Sequence, residues 1–509
     1  MQKISISLLL LVLSLQFSLA QNIKGKIIDI NTKESIPYAN ILINKSESLI
    51  SNAEGYFTLS EKNSLDSTLL LVSYLGYANQ EITVTTLKNN DFIVALTPSI
   101  FELNDVNVSN KKPNPYEIMA NVKANLSNNY VSDGSPSKDV LFYRNSETFN
   151  PKIIEVEIDK STGFTKQALV KVNADLKSFS NGMIRNPPKE FTDILCNYYT
   201  TNVKKDTKTS FLSKLDVLKA TKLKQEGSAV SSEDLEKKAT AMMLQHLDST
   251  KFYRVKSGLF GSRDSISMRK DWNQKRDQKK NKEVKTQLTV TKNNLNSFLI
   301  GNNFSQSEKY SFIKRPELYD YTYEGTTYTA ENEFAYILSF KPRRSKAKYV
   351  GKLYVSENDY AVLRADYTLD EGEKLNSLNL KLLLGIKASQ NKSTGTIIYK
   401  KKKEGNGYYL QYATIERGQY FYINRPLKFI ELTREDKDVL SLDIKVEGNS
   451  SSKTEFLNLS RSPIAASEIT KIKEDDFKYI TIKSYDPKIW KDYNAIEPLE
   501  EMKRFKAAN

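Results

Sequence analysis

Histidine and cysteine are nearly absent, since the 509-residue sequence contains one of each. Cys196 has no second cysteine with which to form an intramolecular disulfide, and its apolar neighbours Ile194 and Leu195 predict a buried, unreactive thiol. His246 continues the apolar stripe of a predicted helix after Met242, which favours a partly buried structural residue. Catalytic zinc sites need several histidines, so the sequence predicts no metal site and excludes a zinc carboxypeptidase.

The common catalytic motifs are also missing. The sequence has neither the G-x-S-x-G elbow of α/β-hydrolases nor a phosphate-binding glycine loop. Ser135 and Lys138 match the S-x-x-K pattern, but Pro136 favours a loop over the start of a helix. We therefore predict no catalytic residue, no cofactor and no enzymatic activity. One enzymatic alternative stays open, because 61 acidic residues always include pairs that a glycosidase-like hydrolase could use.

Long apolar runs are absent after the N-terminus, which predicts no transmembrane helix. Residues 1–20 combine Lys3, an apolar run over 8–15 and the small residues Ser18 and Ala20, a pattern typical of a cleaved secretory signal peptide. No cysteine stands directly after the predicted cleavage point, so the thiol-linked lipid of bacterial lipoproteins is excluded. We expect an exported chain whose anchoring, if any, comes from protein contacts.

Acidic residues are outnumbered by basic ones, 61 against 76, which gives a formal net charge of +15. An exported protein does not ordinarily meet nucleic acid, so no nucleic-acid partner is expected. The charge instead favours lipopolysaccharide, phospholipid headgroups or an acidic protein face. Charge alone does not choose among these three.

Short β-forming runs separated by turn residues follow the signal peptide. They cover residues 23–30, 39–44, 55–59, 69–74, 80–84 and 92–96. Their spacing predicts six or seven strands, and residues 21–98 are therefore predicted to form a β-sandwich. Residues 99–113 are predicted to be a linker.

Four motifs in this sandwich resemble those of the carboxypeptidase-regulatory-like domain: GKIID at 25–29, IPYANI at 36–41, SNAEGYFTL at 51–59 and VSYLGY at 72–77. That domain heads many Bacteroidetes outer-membrane proteins, including TonB-dependent receptors of the SusC type. Ser51 and Asn52 replace the family's Thr-Asp, which leaves the hydrogen bonding of that turn open. The resemblance implies a folding and docking module without peptidase activity. It also implies the periplasm or the periplasmic face of the outer membrane, with the cell surface as the alternative.

Residues 114–484 are predicted to form a larger α+β domain. Asn114 caps its first helix, whose apolar stripe is Ile118, Val122 and Leu126. A helical insertion is predicted near 208–247, where helical spacing relates first Phe211, Leu215 and Leu218 and then Leu235, Ala239, Met242 and His246. The basic stretch 263–285 around Trp272 is predicted to be an exposed loop, with a lipid- or glycan-facing patch as the alternative.

An antiparallel meander is predicted from residue 334 onward. Its strands alternate at 336–340, 349–355 and 361–367, and a hairpin joins 396–403 to 408–414 through Gly405-Asn406-Gly407. The meander resembles the curved sheets of periplasmic lipid carriers. Residues 485–509 are predicted to be a C-terminal tail with a short helix near Met502. Residues 114–506 as a whole resemble the uncharacterised C-terminal region of Bacteroidetes proteins that carry the same N-terminal domain, which implies no known activity.

The predicted fold is mainly β: a seven-stranded-type sandwich, then a larger curved antiparallel sheet with a few helices. We predict an exported, non-catalytic binding or assembly protein that docks onto an outer-membrane transporter or assembly complex, with a lipid or glycan as a further ligand. The alternatives are a small outer-membrane β-barrel related to TonB-dependent receptors and an envelope hydrolase with paired carboxylates. The sequence leaves the ligand, the partner, the closure of the second sheet and the oligomeric state open.

Overall fold

The computed structural model describes residues 22–101, 112–131, 134–162, 165–205, 208–224, 252–257, 260–267, 286–432 and 437–506. These residues group into two compact units. The sandwich unit contains residues 22–101, Thr326–Phe334 and Asp486–Arg504, and the long-strand unit contains the other described residues. His246, Trp272 and the second helix of the predicted insertion lie outside the described residues.

The chain is mainly β, as predicted, and its elements are numbered here in chain order. The strands are β1 Ile23–Asp29, β2 Asn40–Ile43, β3 Glu47–Ile50, β4 Tyr56–Leu59, β5 Leu69–Ser73, β6 Gln80–Thr83, β7 Ile93–Leu96, β8 Ser137–Ser161, β9 Lys189–Lys205, β10 Lys208–Lys224, β11 Phe252–Ser257, β12 Phe260–Ser267, β13 Tyr319–Tyr328, β14 Phe334–Pro342, β15 Tyr349–Ser356, β16 Val362–Leu369, β17 Ser377–Leu380, β18 Ile386–Lys401, β19 Tyr408–Glu431, β20 Lys437–Pro463 and β21 Ile480–Ile482. The α-helices are α1 Val84–Asn89, α2 Pro115–Tyr130, α3 Lys166–Arg185, α4 Gln287–Gly301, α5 Ser311–Lys314, α6 Lys381–Leu384, α7 Ala466–Lys471 and α8 Glu500–Lys503. Short 3₁₀ turns cover Glu61–Asn63, Pro316–Leu318 and Pro487–Trp490.

The predicted sandwich is confirmed and consists of a three-stranded sheet, in the order β4-β1-β7, and a four-stranded sheet, in the order β3-β2-β5-β6. Its core contains alternate side chains of both sheets, because successive residues of a strand point to opposite faces. Fully buried examples are Ile27, Ile41, Phe57, Leu70 and Val72.

The family-like motifs hold the turns of the sandwich. Asp29 accepts hydrogen bonds from the backbone N–H of Thr32 and from the hydroxyl of Tyr77, and these bonds lower the pKa of its carboxyl. Asn52 Oδ1 accepts the backbone N–H groups of Glu54 and Tyr56, both at 2.9 Å. The side-chain oxygen of Asn52 therefore closes this turn.

A C-terminal segment belongs to the sandwich unit. Glu497 is 6% exposed and accepts a hydrogen bond from the hydroxyl of Thr58 of β4 at 2.6 Å. It also forms an ion pair with Lys503 at 2.6 Å. Asn494 accepts the backbone N–H of Ser60 and donates to Glu47. The two ends of the described chain are therefore fastened to each other through side-chain contacts of the sandwich.

Fourteen of the described strands form one sheet in the long-strand unit, with the central order β16-β18-β19-β20-β8-β9-β10. Three of its neighbouring strands are unusually long: β8 has 25 residues, β19 has 24 and β20 has 27. The predicted meander is confirmed by the antiparallel pairs β14-β15 and β15-β16. The predicted hairpin is confirmed as well, because Lys401 pairs with Tyr408.

The predicted helix at the start of the insertion is wrong. Residues Lys208–Lys224 form the strand β10, which pairs antiparallel with β9 along its whole length. The register shifts between Val217 and Lys219, and the inserted residue separates the apolar side chains by four and then three positions. Apolar residues spaced by four and three positions are also typical of a helix, which explains the wrong prediction. The backbone groups of this segment are hydrogen-bonded to β9 instead.

One predicted helix is confirmed and another helix is unexpected. Asn114 caps α2 by accepting the N–H of Tyr116 at 3.0 Å, and the stripe of Ile118, Val122 and Leu126 is buried. The helix α3 lies in a region predicted to be mostly β. The side chain of Asn173 in α3 accepts the backbone N–H of Ile158 at 2.9 Å and donates to the Ile158 carbonyl at 3.1 Å. Ile158 lies in the part of β8 that does not pair with β9.

Helices α3 and α4 cover parts of one face of the long strands. We call this face the inner face. Phe298 of α4 lies 5.7 Å, between ring centroids, from both Tyr143 of β8 and Phe456 of β20. Further along the same strands, α3 packs its apolar side chains on a second cluster. That cluster contains Ile158, Tyr253, Phe429, Leu440 and Leu442.

The opposite face carries a buried ion pair in the same strands. Arg144 of β8 donates from Nε and Nη2 to both carboxylate oxygens of Asp193 at 2.7 and 2.8 Å. Arg144 is 3% exposed and Asp193 is 1% exposed. A charge taken out of water this completely is tolerated only when it is paired, so each residue depends on the other.

We predict that R144M strongly destabilises the long-strand unit, because it leaves the Asp193 carboxylate buried without its partner. The loss of unfolding free energy should be about 3–5 kcal/mol, which urea unfolding would measure. The control K445M removes a lysine from an exposed pair with Glu155 and should leave the midpoint unchanged. Equal midpoints for R144M and K445M would contradict the assigned role.

Candidate ligand-binding face

A band of polar side chains crosses the inner face between the positions covered by α4 and α3. Strand register places five of them side by side: Ser393, Arg417, Ser452, Glu147 and Glu190. The alternation of β19 sets the face, because Arg417 is four residues from Ala413, which pairs with Phe456 beneath α4. Polar residues between two apolar, helix-covered parts of one face indicate a place where the sheet meets water or a polar ligand.

Two cations meet at one end of this band. Arg417 is exposed, and Lys309, in the loop between α4 and α5, is partly buried. Burial, together with the positive charge of Arg417, lowers the pKa of Lys309 to about 7. Lys309 Nζ donates to the Tyr310 hydroxyl at 3.1 Å and lies 5.6 Å from the ring centroid of Tyr367. Among the described residues, neither Lys309 nor Arg417 has an ion-pair partner.

Three tyrosines surround these cations. The Tyr349 and Ser393 hydroxyls are 3.4 Å apart, and Tyr310 donates to Asn302 Oδ1 at 2.5 Å. The Tyr367 hydroxyl is buried beside that of Tyr310. Burial raises the pKa of all three hydroxyls, so they remain neutral donors at ordinary pH.

Gly395 makes room for Tyr367 on the inner face. A Cβ atom at this position of β18 would lie 2.8 Å from the Tyr367 hydroxyl oxygen and 2.9 Å from Ile415. Both contacts are closer than atoms normally approach, so any side chain here would displace the tyrosine. The glycine thus fixes the Tyr367 hydroxyl close to the Arg417 strand.

An apolar strip continues from the band toward the α3 cluster. Phe149 and Phe421 stack with ring centroids 5.5 Å apart, and Phe421 lies four residues beyond Arg417 on the same face of β19. Ile423 follows on that face and is 38% exposed. Cationic and apolar surfaces therefore adjoin along one strand.

Two carboxylates also face each other in the band. Glu147 and Glu190 are direct cross-strand neighbours, a placement that is unfavourable for two bare charges. Each has a partner of its own: Asn145 donates to Glu147 at 3.0 Å, and Lys222 pairs with Glu190 at 2.5 Å. These partners offset the repulsion between the two carboxylates.

The structure places two residue sets singled out from the sequence. Cys196 is 1% exposed, its sulfur lies 3.8 Å from the Leu141 carbonyl oxygen, and burial raises its pKa. Ser135 lies in the loop before β8, and Lys138 lies within β8 with Nζ 5.9 Å from the Tyr199 ring centroid. The cysteine is therefore the buried residue predicted from its neighbours, and the S-x-x-K residues occupy a loop and a strand.

The described ranges contain neither a candidate metal site nor a candidate membrane-spanning helix. No three His, Cys, Asp or Glu side chains in these ranges are grouped so that they could hold a metal ion. No helix within them is both long and apolar enough to cross a membrane.

Comparison with known proteins identifies the sandwich. The family model described as the CarboxypepD_reg-like domain matches residues 23–108. No curated protein matches the chain. Among solved structures, the complex of Pseudomonas aeruginosa MucA and MucB shows 9% identity, with 68% of this chain and 98% of that chain covered and a TM-score of 0.14. A DUF1329 family protein from Desulfovibrio piger shows 11% identity, with 70% and 95% covered and a TM-score of 0.18. TM-scores this low are well below those of chains that share a fold.

We predict that Lys309 destabilises the folded chain while it is charged. Its folded pKa of about 7 lies below the ordinary value of 10.5, so the unfolded chain binds the additional proton between these values. Stability should therefore rise from pH 7 toward pH 10.5 in the wild type relative to K309M, and K309M should be the more stable protein below pH 7. Urea midpoints across this range would measure the difference, with K445M as the exposed-lysine control. Parallel curves for wild type and K309M would contradict the lowered pKa.

Proposed function

We propose that this chain is an exported, non-catalytic binding protein of the bacterial envelope whose long-strand unit holds an amphiphile with an anionic group. The observation that carries the proposal is the pair of Lys309 and Arg417, which face the same stretch of the inner face without an ion-pair partner among the described residues. Two adjacent positive charges raise the free energy of the folded chain, and an anion between them would lower it.

The surrounding groups suit a carboxylate or phosphate. The guanidinium of Arg417 offers paired donors that match such an anion, and the Lys309 ammonium adds a second charge. The buried Tyr367 hydroxyl supplies a neutral donor beside them. Perturbed groups that converge on one open face are typical of binding sites.

The apolar part of the ligand would lie along the strip of Phe149, Phe421 and Ile423. Phe421 is partly exposed and rests on the buried ring of Phe149, and the exposed fraction of Ile423 marks where a ligand could remove apolar surface from water. An acyl chain suits these apolar side chains better than a sugar does, and the exposed Gln419, on the same face between Arg417 and Phe421, adds a polar group at the charged end.

The sandwich would dock the chain onto an outer-membrane transporter or assembly complex on the periplasmic side. The family match at residues 23–108 supports a docking module. The edge strand β7 supports it as well, since the neighbouring Phe92 and Ile93 at its start are 41% and 38% exposed. Clustered apolar side chains on a domain surface are typical of protein contacts.

A hydrolase is the second candidate, and the opposed Glu147 and Glu190 are the observation in its favour. Their separate partners, Asn145 and Lys222, argue against it. Binding without turnover is therefore the preferred proposal.

We predict that R417Q and K309M each weaken binding of dansylated undecanoic acid to the full mature chain by about tenfold or more, the effect of losing one charge-assisted hydrogen bond. Fluorescence titration would measure the dissociation constants. Wild-type binding should also be tighter at pH 6 than at pH 8, because Lys309 is charged below pH 7.

The ligand and the protein each have a matched control. The methyl ester of the probe lacks the anionic group and should bind wild type and both variants equally. K445M removes a lysine from the opposite face of β20 and should bind the acid as wild type does. Equal affinity of the acid and its ester for the wild type would overturn the anion site.

We predict that F92S/I93S loses an outer-membrane protein that co-purifies stoichiometrically with the wild type from gently solubilised membranes of the native host. The substitutions replace apolar side chains at the sandwich edge while leaving its buried core intact. L65S, a change at another exposed position of the sandwich, should retain the partner. Recovery of the wild-type chain alone in the soluble periplasmic fraction would contradict the docking proposal.

A further inference from the structure

The turn between β17 and β18 presents two leucines to solvent. Leu382 is 101% exposed and Leu383 is 80% exposed, the highest fractions among the large apolar side chains of the described residues. Leu378 on β17 is 48% exposed. Single exposed leucines are ordinary, but neighbouring leucines that are almost wholly exposed indicate a surface that meets something apolar.

The backbone holds this turn in place. Gly385 ends α6 with φ +64°, donates to the Lys381 carbonyl at 3.0 Å and accepts the N–H of Asn424 of β19 at 2.8 Å. A Cβ atom on Gly385 would lie 2.0 Å from the Asn424 carbonyl oxygen, so only glycine allows this close approach. The leucines are therefore displayed by a turn that is fastened to the long strands.

Cationic and aromatic side chains surround the leucines. Lys381 Nζ lies 4.4 Å from the Tyr422 ring centroid, and Lys387 Nζ lies 5.6 Å from that of Tyr420. Glu447, the cross-strand neighbour of Tyr422, is paired with Lys152 at 3.5 Å, so its charge is already offset. The surroundings of the leucines are thus net positive.

We propose that α6 and its flanking residues form a membrane-insertion tip for a bilayer with anionic headgroups. Leu382 and Leu383 enter the boundary between headgroups and acyl chains, while Lys381 and Lys387 remain at the phosphates. Tyrosines are favoured at this depth, which agrees with the partly exposed Tyr420. The charge of the lysines favours a lipid surface as the occupant, and the proposal does not depend on ligand binding at Arg417.

A fluorophore at the tip tests the depth of insertion. Cys196 is the one cysteine of the sequence and is 1% exposed, so a cysteine introduced by L382C can be labelled selectively with an NBD fluorophore on the folded chain. Adding vesicles of phosphatidylcholine and phosphatidylglycerol should shift its emission to the blue and increase it. The same label at L65C, on the sandwich, should not respond. No response at position 382, or equal responses at both positions, would overturn the proposal.

Vesicle sedimentation separates the roles of the leucines and lysines. L382S/L383S should lower the partition of the full mature chain onto these vesicles by about tenfold, and L65S should not. K381Q/K387Q should weaken binding to the anionic vesicles and leave the weaker binding to pure phosphatidylcholine unchanged. Wild-type sedimentation of L382S/L383S would show that another surface binds lipid, or that the leucines contact a protein, and would refute the tip.

Discussion

Antiparallel pairing of β20 with β8 on one side and β19 on the other is the interaction on which the long-strand unit depends. Strands of 24 to 27 residues extend about 80–90 Å at 3.3 Å per residue. The ladder satisfies the backbone over that length, so every side chain must be accommodated on one of two faces. Helices α4 and α3 cover two separate parts of the inner face, and the band at Arg417 lies between them.

Arg144 and Arg417 show how one sheet uses the same residue type in two ways. Arg144 is almost completely buried and donates to both oxygens of Asp193, so its charge is neutralised within the protein. Arg417 is exposed, and its electrostatic neighbours are Lys309 and tyrosines. A paired charge stabilises the fold and leaves nothing for a ligand, whereas an unpaired charge raises the energy of the free chain and can be relieved by an anion.

Local patterns in the sequence predict the sandwich, the meander, the hairpin at Gly405-Asn406-Gly407 and the capped helix α2, because each depends on residues close in sequence. They fail at β10, where a bulge near Val217 imitates helical spacing, and at α3, whose position is decided by the α3 cluster. The site has no local signature, because Lys309 and Arg417 lie in separate elements and the band combines residues of β8, β9, β18, β19 and β20. Only the register of these strands brings the residues of the band together.

The proposed anion site and the proposed membrane tip are connected by the paired strands β18 and β19. Arg417 and Ile423 are on the same face of β19 and are separated by about 20 Å at 3.3 Å per residue, which is the length of a long acyl chain. Ile423 pairs with Ile386, the residue directly after Gly385 at the base of the tip. An amphiphile leaving a bilayer at Leu382 would therefore meet the apolar strip first and the two cations last. The order of these surfaces along β19 matches the order of tail and headgroup in a lipid that is held with its charged end inward.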